Sequence, residues 1–148
     1  IIVALDVDRL SRAKEIIKSI KYDVIYKVGM EFFYSFGMDG FKELKKIKPE
    51  IKFFLDLKLH DIPNTVANSL KPLISKINPY MLTLHITGGN KMLHEAVNVA
   101  NKIVKKNKTK KPIILGVTLL TSLKKQDLIS LGLGKDINKV VIKLASVA

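Results

Sequence analysis

The strongest constraint in this chain is a repeated alternation of two patterns. Five short apolar runs rich in β-branched residues recur along it: Ile1–Leu5, Val24–Val28, Ile51–Leu57, Tyr80–His85 and Pro112–Val117. Their starts lie about 25–30 residues apart, the length of one strand–helix unit. Helical patterns fill the gaps. Leu10, Ala13, Ile17 and Ile20 share one helix face, as do Val66, Leu70, Leu73 and Ile77, then Leu93, Ala96, Val97, Ala100 and Ile103. Near-continuous apolar strands alternating with amphipathic helices predict an α/β fold, a parallel sheet covered by helices.

Two α/β architectures meet that description, the open doubly wound sheet and the (β/α)8 TIM barrel. A doubly wound nucleotide binder carries a glycine-rich turn after its first strand. Here that strand runs into Ala4-Leu5-Asp6-Val7-Asp8, without glycine. Polar residues instead stand at the carboxyl end of strand after strand: Asp6, Lys27, Asp56 with Lys58, His85, and Thr121. A barrel gathers such strand ends into one site. A whole barrel needs ~250 residues, or about 31 per unit, and the chain has 148. The expectation is therefore one domain over 1–148, a partial barrel of about five βα units, with Asp136–Ala148 as the start of the fifth helix. The chain begins on Ile1 in a strand, and both ends read as interruptions of the pattern.

Composition removes other classes. Apolar residues make up 47% and charged residues 26%, which fits a soluble globular domain. No apolar run approaches the ~18 residues of a membrane span, and Asp6, Asp8 and Arg9 interrupt the first run as no signal peptide would be interrupted. The absence of cysteine excludes disulfides and thiolate catalysis, and a cytoplasmic location is expected. The net charge of +13 raises the question of a nucleic-acid partner. Its lysines cluster on helices and loops (Lys42, Lys45, Lys46, Lys48; Lys105, Lys106, Lys108, Lys110, Lys111) without interleaved aromatics, which describes a solvated surface.

The densest chemical signal is Asp56-Leu57-Lys58-Leu59-His60-Asp61-Ile62-Pro63-Asn64-Thr65. Residues two apart on a strand share a face, so Asp56 and Lys58 should project together, with Asp61 in the following loop and Thr65 opening the next helix. Lys27 brings a second ammonium, and the set can alternate as Lys27, Asp56, Lys58, Asp61. Spacing alone leaves open a structural ion-pair network at the rim. His60, His85 and His94 are not spaced as a metal set, and His60 and His85 are expected as hydrogen-bonded supporting or core residues. Gly88-Gly89 reads as a tight strand–helix turn, Pro63 as a helix-entry proline, and Phe32, Phe33, Phe36 and Phe41 as core at helical spacing.

The pattern Asp-x-Lys-x-x-Asp-Ile-x-x-Thr, here Asp56 to Thr65, resembles the signature of the orotidine 5′-monophosphate decarboxylases. The likeness extends to Val3-Ala4-Leu5-Asp6, to Tyr26-Lys27-Val28-Gly29, to His85-Ile86-Thr87-Gly88-Gly89 and to Val117 through Ser122, so every unit is covered in family order. The resemblance implies decarboxylation to uridine 5′-monophosphate without metal or cofactor. It casts Lys58 as the proton donor to C6 and places Asp56 near the departing carboxylate. Lys27 and Asp6 would hold the ribose and the charge array. Asp61 and Thr65 would reach the site of a partner subunit in a homodimer, Ile62 would contact the substrate, and Thr121 and Ser122 would meet the pyrimidine edge. The family's phosphate-gripping segments, a Pro-Gly-Ile-Arg type and a Gly-Arg pair, do not occur in the chain. No nucleic acid or membrane partner is implied. Two alternatives stand beside this reading. One is a sugar-phosphate lyase of the same barrel group, which uses magnesium and an acidic residue where Lys27 stands. The other is an inactive remnant that associates with other chains.

Overall fold

Burial alternates along the second and third strands, and that alternation sorts core from site. The computed structural model describes residues 1–148. Its strands are β1 (Ile2–Ala4), β2 (Ile25–Gly29), β3 (Lys52–Leu59), β4 (Met81–His85) and β5 (Ile113–Val117), each within the expected run or shifted by one or two residues. They pair in parallel, in sequence order β1-β2-β3-β4-β5. Val3 lies opposite Tyr26, Tyr26 opposite Phe53, Leu55 opposite Leu82, and Leu82 opposite Ile114. A doubly wound sheet reverses its strand order at a switch point; this one winds in a single direction, as an arc of a barrel does.

Helices α1 (Leu10–Ser19), α2 (Met30–Ile47), α3 (Pro63–Pro72) and α4 (Gly89–Asn107) cover one face of the sheet. On β2, Tyr26 and Val28 are buried beneath them; on β3, Phe53, Leu55 and Leu57; on β4, Leu82 and Leu84. Ala13 and Ile17 of α1, Phe41 and Leu44 of α2, Val66 and Leu70 of α3, and Met92, Ala96 and Ala100 of α4 close the same core. Each fully buried large side chain contributes about 1.5–3 kcal/mol relative to exposure. The expected helix faces are the buried ones.

Local chemistry sets the boundaries. Pro63 occupies the first turn of α3, where its missing N–H costs nothing. Pro72 lacks the donor that would continue regular α-helix, and a π-helical turn, Leu73–Ile77, follows it and ends at left-handed Asn78. The expected single face of Val66, Leu70, Leu73 and Ile77 is thus carried across a change of helix type, and all four are buried.

Two expectations need correction. The phenylalanine group does not lie on one continuous helix. Gly37, at φ 53° and ψ −150°, breaks α2 in the middle. The break folds Phe41 back onto Phe32, with ring centroids 5.7 Å apart and edge to face, while Phe36 packs 4.9 Å from Phe32. Phe32 and Phe41 are core; Phe33 and Phe36 are half-buried. The helix expected to start at Asp136 is present, but as the sixth and not the fifth. A short helix, α5 (Lys125–Ser130), comes first, its entry held by the Asp127 carboxylate accepting from the Lys124 N–H at 2.7 Å. Gly132 and Gly134, at φ 70° and 98°, separate it from α6 (Ile137–Ala145), which Asp136 caps. Beyond β5, Leu128 is the single buried residue.

Candidate active site

Residues that alternate with the core necessarily face the other way. On β2 the residue between buried Tyr26 and Val28 is Lys27; on β3 the residue between buried Leu55 and Leu57 is Asp56. Both therefore project from the face opposite the helices, near the carboxyl ends of their strands. Gly29 is the register partner of Asp56, so Lys27 stands two residues back on the neighbouring strand and reaches forward.

Four charges meet there in alternation. Lys27 Nζ donates to both carboxylate oxygens of Asp6, at 3.2 and 3.1 Å, just past β1. The same ammonium lies 4.0 Å from Asp56 Oδ2. Lys58 Nζ donates to that oxygen at 2.9 Å. Asp56 is the best shielded, with 16% of its side chain exposed; Lys27 has 23%, Lys58 30% and Asp6 54%. A carboxylate withdrawn from water between two ammoniums is stable only because both pair with it.

Lys58 meets Asp56 by a route that strand spacing does not describe. Leu55 pairs with Leu82 but Leu59 pairs with Leu84, so β3 carries two more residues than β4 across this stretch. Within the bulge Lys58 takes φ 49°, a left-handed conformation for a residue with a side chain. Such a conformation costs on the order of 1–3 kcal/mol and persists only where surrounding structure enforces it. Bulges beside active sites re-aim side chains, and this one turns Lys58 across the end of the sheet. Its backbone N–H donates to Thr83 Oγ1 of β4 at 2.8 Å. Thr83 Oγ1 in turn lies 3.1 Å from Asp56 Oδ1. Thr83 is not among the expected site residues, although a threonine set between Leu82 and Leu84 in an apolar strand is a visible signal.

The other expected site residues lie apart from this array. Asp61 follows β3 in an exposed loop, and its Oδ1 accepts from the N–H of Ile62 at 2.6 Å. It makes no ion pair with Lys27 or Lys58, so within one chain the alternation runs Asp6, Lys27, Asp56, Lys58. Ile62 is 66% exposed, and Thr65, in the first turn of α3, is exposed as well. Thr121 and Ser122 are exposed in the turn after β5.

His60 and His85 are neither hydrogen-bonded supports nor core, as had been expected. They pack at the rim with ring centroids 5.1 Å apart and planes tilted by 36°, His60 exposed and His85 half-buried. Burial, followed by the neighbouring His60 and Lys58, holds the His85 pKa below its ordinary value. The Gly88-Gly89 turn is as expected: a Cβ on Gly88 would overlap the Met92 sulfur, and Gly89 takes φ 82° as α4 begins.

The match to known proteins runs along the whole chain. The model of the family described as orotidine 5′-phosphate decarboxylase / HUMPS matches residues 1–148. The chain belongs to this family. It is 44% identical over 149 residues to the orotidine 5′-phosphate decarboxylase of Wolbachia sp. subsp. Brugia malayi, covering 100% of this chain and 62% of that protein. It is 45% identical to the Carboxydothermus hydrogenoformans protein of the same name, covering 98% and 59%. The crystal structure of orotidine 5′-phosphate decarboxylase from Lactobacillus acidophilus superposes with a TM-score of 0.85 at 36% identity, over 98% of this chain and 64% of that one. The chain thus spans about three fifths of the length of the curated relatives it matches, and its sheet is a partial barrel.

Proposed function

We propose that the chain carries the charge array of a lyase that converts orotidine 5′-monophosphate to uridine 5′-monophosphate in pyrimidine biosynthesis, in the cytoplasm, without metal or cofactor. The single observation behind this reading is that Asp56, the most shielded charge at the strand ends, is shared by two ammoniums, Lys27 and Lys58. Preorganised charge of this kind stabilises a carbanion as it develops, at no reorganisation cost during the reaction. As the bond from C6 to the carboxylate breaks, its electron pair stays on C6. The Lys58 ammonium transfers a proton to that carbon, carbon dioxide leaves, and solvent reprotonates the amine. Asp56 lies beside the departing carboxylate, Lys27 and Asp6 hold the ribose and the array, and Thr121 and Ser122 meet the pyrimidine edge.

Asp61, Ile62 and Thr65 have no role within their own chain's array, and the exposed Ile62 suits burial against another subunit. We assign them to the site of the partner in a homodimer. Mixing an Asp61→Ala variant with a Lys58→Ala variant then restores part of the activity through hybrid dimers; failure at every mixing ratio assigns Asp61 to its own subunit.

The test is carbon dioxide release from orotidine 5′-monophosphate by the chain extended beyond Ala148 with the remaining segment of a relative, which supplies the phosphate grip. Turnover that survives a chelator is the expected result. Loss of turnover to the chelator with rescue by magnesium would favour the sugar-phosphate lyase reading, against which Lys27 stands where that chemistry uses an acidic residue. The third reading, a remnant that only associates, draws on the open edges of β1 and β5. Apolar strand edges are templates for pairing with other chains, so residues 1–148 expressed alone should associate and turn over poorly. A stable monomer with the extended protein's turnover would refute that expectation.

A further inference from the structure

Among the buried residues of this chain one alone is polar, and it is Thr83, at 5% exposure. Valine has the same shape and would bury a methyl group in place of the hydroxyl. A buried hydroxyl is an expense unless its hydrogen bonds are made, and Thr83 makes them toward the charge array. It sits on β4 between Leu82 and Leu84, which face the helices, so its own side chain lies on the face of Lys27 and Asp56.

A hydroxyl has one donor and two acceptor sites. Thr83 Oγ1 accepts from the Lys58 N–H at 2.8 Å. Its own proton goes to Asp56 Oδ1, 3.1 Å away, in preference to the Leu55 carbonyl at 3.5 Å. Both bonds fall where the sheet ladder fails. The register of β3 against β4 slips between Leu55 and Leu59, which deprives the Lys58 N–H of a carbonyl partner on β4. Thr83 supplies the missing acceptor from a side chain, at the residue whose φ of 49° needs enforcing. Its second bond divides the Asp56 carboxylate by function. With Oδ1 tied to Thr83, Oδ2 is left to face Lys58 at 2.9 Å and Lys27 at 4.0 Å.

We propose that Thr83 is the positioning residue of this site: one hydroxyl holds the Lys58 backbone in its bulge and turns the Asp56 carboxylate toward both ammoniums. The proposal rests on the decarboxylase reading, because it assigns Thr83 a part in that turnover. It does not touch the reacting atoms. A displacement of about 1 Å in a reacting group is enough for a loss of about 100-fold in rate.

The experiment compares Thr83→Val, Thr83→Ala and Thr83→Ser in the extended protein, by steady-state kinetics, thermal unfolding and hydrogen exchange at the Lys58 amide. Thr83→Val keeps the volume and removes both bonds. It should lower kcat about 10- to 100-fold with KM within about threefold, and speed exchange at the Lys58 amide while amides elsewhere on β3 and β4 stay protected. Thr83→Ala should repeat the kcat loss, and Thr83→Ser, which restores the hydroxyl, should recover kcat and Lys58 protection. A purely structural role would lower the melting temperature and exchange protection across the whole sheet without a selective loss of kcat, and that pattern overturns the proposal. So does an active parent whose valine variant keeps both kcat and Lys58 exchange. A parent with no decarboxylase activity but with hydroxyl-dependent exchange at Lys58 overturns the decarboxylase reading and leaves the hold on the strand standing.

Discussion

The sheet carries a lysine–carboxylate pair at each end, and the two pairs differ in kind. At the amino end Lys52, opening β3, donates to Asp23, just before β2, at 2.5 Å. At the carboxyl end of the same strand, Lys58 donates to Asp56 at 2.9 Å. Distance alone would rank the first pair higher. Yet Lys52 and Asp23 are 43% and 69% exposed, and each is the other's main partner. Asp56 is shielded, serves two ammoniums, has its other oxygen tied to Thr83, and pairs with a lysine in a strained backbone conformation. An exposed pair in water gains little, because solvent competes for both ions and the side chains lose freedom. A shared, fixed and strained pair carries a cost in the fold that a simple surface bridge does not. Sharing and fixation, and not short distance, separate the candidate site from an ordinary ion pair.

The largest expected difference between the two ends is in turnover. Lys58→Ala in the extended protein should reduce product formation by about 10²–10⁴-fold, the range for loss of a general acid. Lys52→Ala should leave it within about twofold of the parent. Residual activity of Lys58→Ala within a few-fold of the parent would place the proton donor elsewhere.

Stability gives the next contrast. Asp56→Ala leaves Lys27 and Lys58 facing each other and deprives Thr83 of its acceptor. It should cost about 1–3 kcal/mol in urea unfolding, as expected when buried polar groups lose a partner. Asp23→Ala, which removes one side of a solvent-exposed pair, should cost clearly less than Asp56→Ala. Equal costs would erase the distinction drawn between the ends.

Acid should separate the ends by pH window. His85, beside the carboxyl-end array, has a pKa lowered from 6.5 by burial and then by His60 and Lys58. The unfolded chain therefore takes up the proton at higher pH than the native state does. The native state keeps its full stability above about 6.5 and loses some as pH falls from there toward the lowered native value. His85→Gln should flatten that slope. The amino-end pair responds lower down. Hydrogen bonding and attraction from Lys52 hold the Asp23 pKa below 3.8, so its contribution is present above that value and is lost as pH falls further. Unfolding measured from pH 8 to pH 3 in His85→Gln and Asp23→Asn checks both windows.

The smallest effect is the coupling of Lys52 with Asp23. A double-mutant cycle should return only a weak coupling, declining as salt is raised through the range where the Debye length falls below about 10 Å. A coupling that is larger and insensitive to salt would mean that this pair, too, is withdrawn from solvent.

What the sequence determined by itself was periodicity and its consequences. The spacing of the apolar runs named five parallel strands, and the polar residues that close them placed Asp6, Lys27, Asp56 and Lys58 at the carboxyl ends, with Asp56 and Lys58 on one face. Those are local properties, because a strand's period of two operates wherever it is placed. The family was legible for the same reason, in a contiguous run from Asp56 to Thr65 that needs no folding to be read. Everything that depended on how one strand lies beside another had to wait for the tertiary structure. The slip of β3 against β4 puts Lys58 at positive φ, and the register that follows brings Thr83, 25 residues away, onto its N–H. The break at Gly37 folds Phe41 onto Phe32, and the contact of His60 with His85 joins two separate strand ends. Registers, breaks and ring contacts arise from packing between segments, and no single segment encodes where its neighbour stops.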